Sequence, residues 1–112
     1  MLPRQHRLIK EGDFNRAFRR GRSNFAKLIG VKVVKNNLVY SRFGFIVSNK
    51  VAKKANKRNL IKRRLRAIVH RELGKIKPGY DLVIIALGPI TGSDYQAIGN
   101  EVMNCFKKLN VL

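Results

Sequence analysis

The sequence predicts one α+β domain, on three observations: a length of 112 residues, a hydrophobic content of 45%, and a chain that alternates between helical and strand-like apolar spacing. That length closes one hydrophobic core and is short for two. The first periodic segment covers residues 11–20, where Phe14, Ala17 and Phe18 stand at i, i+3 and i+4 on one helical face. Gly12-Asp13 offers its start and Gly21 its stop. Two strand-like runs follow, residues 26–34 and 39–48, divided by Lys35-Asn36-Asn37. The Asn pair suits a tight connection, so an antiparallel hairpin is the simplest pairing of the two runs.

Residues 58–75 contain neither Gly nor Pro before Gly74, and Ile61, Leu65 and Ile68 recur at helical spacing, which predicts a second helix. Lys77-Pro78-Gly79 then turns the chain into residues 80–87, whose unbroken apolar run reads as a strand covered on both faces, in the middle of a sheet. Gly88-Pro89 ends that strand. Ser93 or Asp94 caps a last helix, with Ile98, Val102, Cys105, Phe106 and Leu109 as its apolar stripe. The predicted order is αββαβα, or the same order with the first sheet portion divided into three strands. No internal repeat, low-complexity tract or linker interrupts it.

The formal net charge is +19. Such an excess repels itself unless a polyanion sits nearby, and nucleic acid is the polyanion expected. The apolar content is well above that of a disordered basic tail, so the charge is displayed on a folded body. Cys105 is the only cysteine, which excludes an internal disulfide and a cysteine-based metal cluster and fits a reducing, cytoplasmic setting. Residues 1–7 are charged but lead into no apolar stretch of signal-peptide length, and no segment is long enough to span a bilayer. No membrane partner is expected either, because the cations are not gathered on one amphipathic helix with an aromatic apolar face.

Twelve of the 25 basic residues lie within residues 50–77, against the single acid Glu72. At about 100° per residue, Arg58, Asn59, Lys62, Arg63, Arg66 and His70 share one arc, and Ile61, Leu65 and Ile68 lie on another side. A face that is merely solvated mixes signs to limit repulsion; this one does not. Its arginines suit bidentate contacts to phosphate, and Asn59 can donate and accept at a sugar or base edge. Catalysis by the chain itself is not expected. The six acids, Glu11, Asp13, Glu72, Asp81, Asp94 and Glu101, are scattered, whereas two-metal hydrolysis needs clustered carboxylates. Only His6 and His70 are available as an acid–base pair, the first in a basic N-terminus expected to be loose and the second on an exposed helix face. No catalytic residue and no metal ligand is assigned.

These residues carry a resemblance. The run Ala55-Asn56-Lys57-Arg58-Asn59-Leu60-Ile61-Lys62-Arg63-Arg64-Leu65-Arg66 resembles the RNR motif of the ribonuclease P protein family. Arg42-Phe43-Gly44-Phe45-Ile46-Val47-Ser48-Asn49-Lys50 resembles the strand before that motif. Arg7-Leu8 with Asp13-Phe14-Asn15-Arg16-Ala17-Phe18-Arg19-Arg20-Gly21 resembles the opening helix, and Tyr80-Asp81-Leu82-Val83-Ile84-Ile85-Ala86 the final strand. Leu60 stands where the family has the second Arg of its motif, Asn49 where a Lys is common, and Ala67 where an acid often follows.

The resemblance implies an α/β sandwich with a mixed sheet and a left-handed βαβ crossover, the hand that general rules disfavour. It implies a ribonucleoprotein that removes the 5′ leader of precursor tRNA, in which the catalytic RNA subunit holds the active site and its Mg²⁺ ions. The chain itself would hold no cofactor and need no protein partner. Carried over position by position, Lys54, Lys57, Arg58, Asn59, Lys62, Arg63 and Arg66 would bind the RNA subunit. Phe14, Phe18, Phe45, Ser48, Asn49 and Lys50 would bind the leader in a cleft between the first helix and a sheet face. Aromatic faces stack on bases of any sequence, which suits many leaders. Alternation puts Phe43 and Phe45 on one strand face and leaves open whether that face is core or cleft. A small ribosomal protein would share the charge, size and lack of catalytic residues. A helix-turn-helix DNA binder is disfavoured, because strands, not a helix and short turn, precede the basic helix.

Overall fold

The longest unbroken apolar run forms the inner strand of a four-stranded sheet in this computed structural model, which describes residues 2–112. Of the N-terminal stretch read above, only Met1 lies outside the described residues. The elements are α1 (Glu11–Arg20), β1 (Arg22–Phe25), β2 (Ile29–Lys35), β3 (Arg42–Ile46), α2 (Ala55–Arg71), β4 (Tyr80–Ala86) and α3 (Tyr95–Lys108). Strand order is β1-β2-β4-β3. β1 and β4 each pair antiparallel with β2, and β3 pairs parallel with β4 across the β3–α2–β4 crossover. The sheet is therefore mixed.

Alternation along β4 supplies both cores. Leu82, Ile84 and Ala86 join Ile61, Leu65 and Ile68 of α2 and Ile98, Val102 and Phe106 of α3 in the large core. Val83 points the other way and packs with Ala17 of α1 and with Leu8. So α1 covers one sheet face and α2 and α3 the other. Strand β4 is buried on both sides, as its run of apolar residues requires.

The expected β2–β3 hairpin does not form, because β4 lies between those strands. The Asn pair does turn the chain, with Asn37 at φ 60, but Asn36 is buried and donates to the Tyr40 carbonyl and to Asp81 of β4. That contact carries the connection across β4. The hairpin in the structure joins β2 to β1, so the three-strand version of the predicted order holds. Helix α2 begins at Ala55 and gives way to a 3₁₀ turn, Leu73–Lys75, where Gly74 interrupts it. Asp94 is the cap of α3, its carboxylate accepting from the Ala97 N–H at 2.7 Å.

The N-terminus, expected to be loose, is docked along the outer edge of β3. Leu2 and Leu8 are buried, the Leu8 N–H donates to the Phe43 carbonyl at 2.8 Å, and Arg7 makes an isolated parallel bridge to Phe43. His6 Nδ1 donates to the Ser41 carbonyl at 2.7 Å, and its ring meets Tyr40 edge-on. An edge strand offers unpaired backbone groups, and this segment satisfies part of them. No helix among the described residues is long and apolar enough to cross a membrane.

Candidate nucleic-acid interface

Helix α2 buries Ile61, Leu65, Ile68 and Val69 and turns Lys54, Lys57, Asn59 and Arg63 to solvent, with Arg58, Lys62 and Arg66 half-buried. His70 and Leu60 are exposed on the same helix. Among the described residues no carboxylate pairs with the cations at positions 54 to 66; Glu72 reaches only Arg71 and Lys75, each at 3.7 Å. The first turn of α2 contains no acid, and its N-cap, Lys54, makes no side-chain cap bond. Cations at the positive end of a helix dipole are unfavourable by about 0.3–1 kcal/mol each, and a phosphate placed there reverses the sign. An Asp at this cap, by contrast, would accept from the first-turn N–H groups. Lys54→Asp is expected to raise the stability of the free protein by about 1 kcal/mol while weakening its binding to RNA. Thermal unfolding and RNA titration of the same sample check both halves.

The sequence arc divides in three dimensions. Arg58 Nη1 donates to the carbonyls of Ala52 and Lys53, at 2.9 and 2.6 Å, and so pins the loop that enters α2. Arg66 lies with its guanidinium 5.8 Å from the Phe45 ring centroid. Lys54, Lys57, Asn59, Lys62 and Arg63 remain as the outward surface, and Arg66 sits at the seam between that surface and a cleft.

The cleft, about 240 Å³ in volume, opens at the edge of β3 between the N-terminal segment, α1 and α2. Phe14, Gly44, Phe45 and Arg66 line it, with Arg7, Leu8, Ile9 and Phe43. A Cβ at Gly44 would come within 2.5 Å of the Phe14 ring, so that ring rests on bare backbone. Gly44 therefore faces α1, and Phe43 and Phe45, one residue to either side, face α2. Phe43 is core, 1% exposed; Phe45 is half-buried under Arg66. Phe14 and Phe45 thus reach the cleft from opposite faces of one strand. Phe18, a turn beyond Phe14, is 40% exposed and lies against Lys32, whose Nζ is 5.6 Å from the ring centroid. Ser48, Asn49 and Lys50 are exposed in the loop after β3, which turns where the Ser48 carbonyl accepts from the Val51 and Ala52 N–H groups.

Asp81 fixes α1 over the sheet. It is fully buried, and its carboxylate accepts from Arg42 Nε and Nη2 at 2.8 and 2.7 Å, from Arg16 Nη2 at 2.8 Å and from Asn36 Nδ2 at 2.9 Å. Arg42 also pairs with Asp13 of α1 at 3.2 Å. The hydrogen bond to Asp81 holds the Arg42 guanidinium above its usual pKa, against the opposing effect of burial. Burial pushes the Cys105 thiol up. Among the described residues no three His, Cys, Asp or Glu side chains gather as a metal-binding group.

Two features of the surface escape the sequence patterns. Residues 7–9 line the cleft because they dock on β3, which no periodicity announces. Phe25 sits on a strand whose other residues, Arg22, Ser23 and Asn24, are polar, so alternation gives no signal there.

A cationic helix face and an aromatic cleft beside it at the β3 edge define a small nucleic-acid-binding protein of the α+β class. The family model described as Ribonuclease P matches residues 2–110, and the chain belongs to that family. It is 34% identical to the ribonuclease P protein component of a Pseudanabaena species, over 100% of this chain and 97% of that one. Identity to the Synechocystis protein component is also 34%, over 99% of this chain and 90% of the relative. Among solved structures, the Staphylococcus aureus RNase P protein superposes with a TM-score of 0.87 at 28% identity, over 95% of this chain and 96% of that one. The Thermotoga maritima RNase P protein gives 0.83 at 32% identity, over 91% and 96%.

Proposed function

We propose that the chain is the protein subunit of a ribonuclease P ribonucleoprotein, binding the RNA subunit through the outer face of α2 and the 5′ leader of precursor tRNA through the cleft beside Phe14. The observation that carries this division is the sheet itself: the cations of α2 between positions 57 and 66, which no carboxylate pairs among the described residues, and the phenylalanines of α1 lie on its opposite faces. One body can then bind a structured RNA on one side and a single strand on the other. Relatives bearing the name ribonuclease P protein component, rather than ribosomal protein, favour this reading over a purely structural RNA-binding role.

The catalytic centre in this reading belongs to the RNA subunit, where Mg²⁺ held by RNA groups supplies charge stabilisation for phosphodiester hydrolysis. The chain supplies affinity and position. Cations of α2 neutralise RNA phosphates, Phe14 and Phe18 offer rings to unstacked bases, and Ser48, Asn49 and Lys50 meet backbone phosphates at the loop after β3. Asp81, the most buried acid, is taken up by three cationic or amide partners and has no free oxygen for chemistry. A bacterial setting in the cytoplasm fits this role.

The test is reconstitution. Precursor tRNA is incubated at low Mg²⁺ with the chain alone, with a bacterial ribonuclease P RNA alone, and with both. Cleavage at the mature 5′ end is expected to appear or accelerate only with both. Clean 5′ maturation by the chain alone, or no effect of the chain on the RNA, refutes the reading.

A further inference from the structure

Helix α1 has an outer side that neither the sheet nor the cleft uses. Its inner side lays Phe14 and Ala17 on the small core and Phe18 against Lys32. On the outer side Gly12, Asn15, Arg16 and Arg19 stand at i, i+3, i+4 and i+7, and with Arg20 they line a groove of about 340 Å³. Lys10 stands before the helix as its N-cap. Arg20 also borders a second hollow, with Lys35 at the end of β2. A strip of cations thus runs the length of the helix.

Two properties set this groove apart from a merely solvated face. Among the described residues no carboxylate pairs with Lys10, Arg19, Arg20 or Lys35; of the two acids of α1, Asp13 belongs to Arg42, and only Glu11 remains to offset them. The second property is Gly12. Glycine is a weaker helix former than alanine, and nothing in the fold calls for it here: a Cβ would meet no atom within 4 Å, and φ is not positive. Bare backbone in the groove lets an outside chain come close.

The chemistry of the groove selects its occupant. Its polar walls are guanidinium groups and one amide, with no aromatic ring to stack an unpaired base. Such groups hold phosphates and 2′-hydroxyls, which a paired RNA segment displays along a regular backbone while its bases stay inside. A grip on the paired body of tRNA would hold the product as firmly as the precursor and slow its release. A grip on the RNA subunit has no such effect.

We propose that the outer face of α1 binds a paired segment of the RNA subunit, so that this RNA holds the protein from both sides of the sheet, through α2 and through α1. The inference rests on the ribonucleoprotein reading above and adds a second contact to it. Two contacts to one RNA reinforce each other through effective concentration and leave the leader cleft open between them.

The test titrates a bacterial ribonuclease P RNA with the full chain in the absence of precursor tRNA. Arg19→Gln combined with Arg20→Gln is expected to weaken binding roughly 5- to 20-fold at physiological salt and to flatten the slope of log K against log salt by about 1.4 to 1.8. Lys at both positions keeps the charges and should restore affinity and slope. Gly12→Gln fills the groove at an open position and should weaken binding with no loss of melting temperature. In the complex with precursor tRNA, a cleavage reagent tethered at Glu11→Cys should cut a paired segment of the RNA subunit that one tethered at Ala67→Cys on α2 does not reach; Cys105 is buried and stays unlabelled. Cuts confined to tRNA or to unpaired RNA, or an affinity loss seen only once precursor tRNA is added, overturn the proposal. If the double variant binds as the wild type does while Lys57→Ala weakens binding, the α1 contact falls and the ribonucleoprotein reading stands. If the wild type does not bind the RNA at all, both fall.

Discussion

Replacing Lys57, Lys62 and Arg63 together with Ala is expected to weaken binding of the RNA subunit by roughly 10- to 100-fold at physiological salt, and to flatten the slope of log K against log salt by about 2 to 3. Each phosphate contact releases condensed counterions, so the slope counts contacts while affinity alone does not. These three are chosen because none has an ion-pair partner among the described residues. Arg58 and Arg66 are poorer probes. The first anchors the Ala52 and Lys53 carbonyls and the second covers Phe45, so their loss would mix folding with binding. The triple variant should unfold at or above the temperature of the wild type, because it relieves repulsion along one helix face. An unchanged salt slope in a folded triple variant would move the RNA-subunit surface away from α2.

Much of this surface is legible in the sequence because burial is periodic. Ile61, Leu65 and Ile68 define the inner side of α2 and thereby its outer one, and the apolar run of β4 announces a central strand without any knowledge of its neighbours. What is not legible depends on contacts between distant residues. Local turn chemistry at Asn36-Asn37 argues for a β2–β3 hairpin, and it loses because Asn36 bonds Asp81, 45 residues away. Alternation groups Phe43 with Phe45 but cannot name their face; the Phe14 ring on Gly44 does. Composition likewise counts cations without dividing their work. Arg16 and Arg42 belong to Asp81, Arg58 to its own loop, Arg22 to the Leu109 carbonyl, and Arg71 and Lys75 to Glu72.

Asp81→Ala is expected to be the most destabilising single substitution of those considered, by about 3–5 kcal/mol. The carboxylate is fully buried and accepts four hydrogen bonds, from Arg42, Arg16 and Asn36. Its removal leaves the Arg16 guanidinium without a counter-ion and Arg42 with Asp13 alone, and Arg16 Nε is already buried without a hydrogen-bond partner. Against a total stability of about 5–15 kcal/mol, that is about a fifth or more of the whole. At about 4 °C per kcal/mol for a chain of this size, the melting temperature should fall by roughly 12–20 °C. The pH dependence has a defined sign. A guanidinium whose pKa is raised on folding contributes stability that is fully present below its unfolded pKa and is lost only as pH rises through the folded one, so Arg42 holds its share throughout neutral and moderately alkaline pH. Asp81→Asn keeps the shape and the partners of the oxygen it retains, and should lie between Ala and wild type. Because Asp81 joins α1, β3, β4 and the loop before β3, partial loosening should reach Phe14 and Phe18 first. In a sample of Asp81→Asn that remains folded, precursor tRNA affinity should fall while RNA-subunit affinity through α2 holds. A melting temperature within a few degrees of wild type for Asp81→Ala would mean that the ion cluster does not anchor α1.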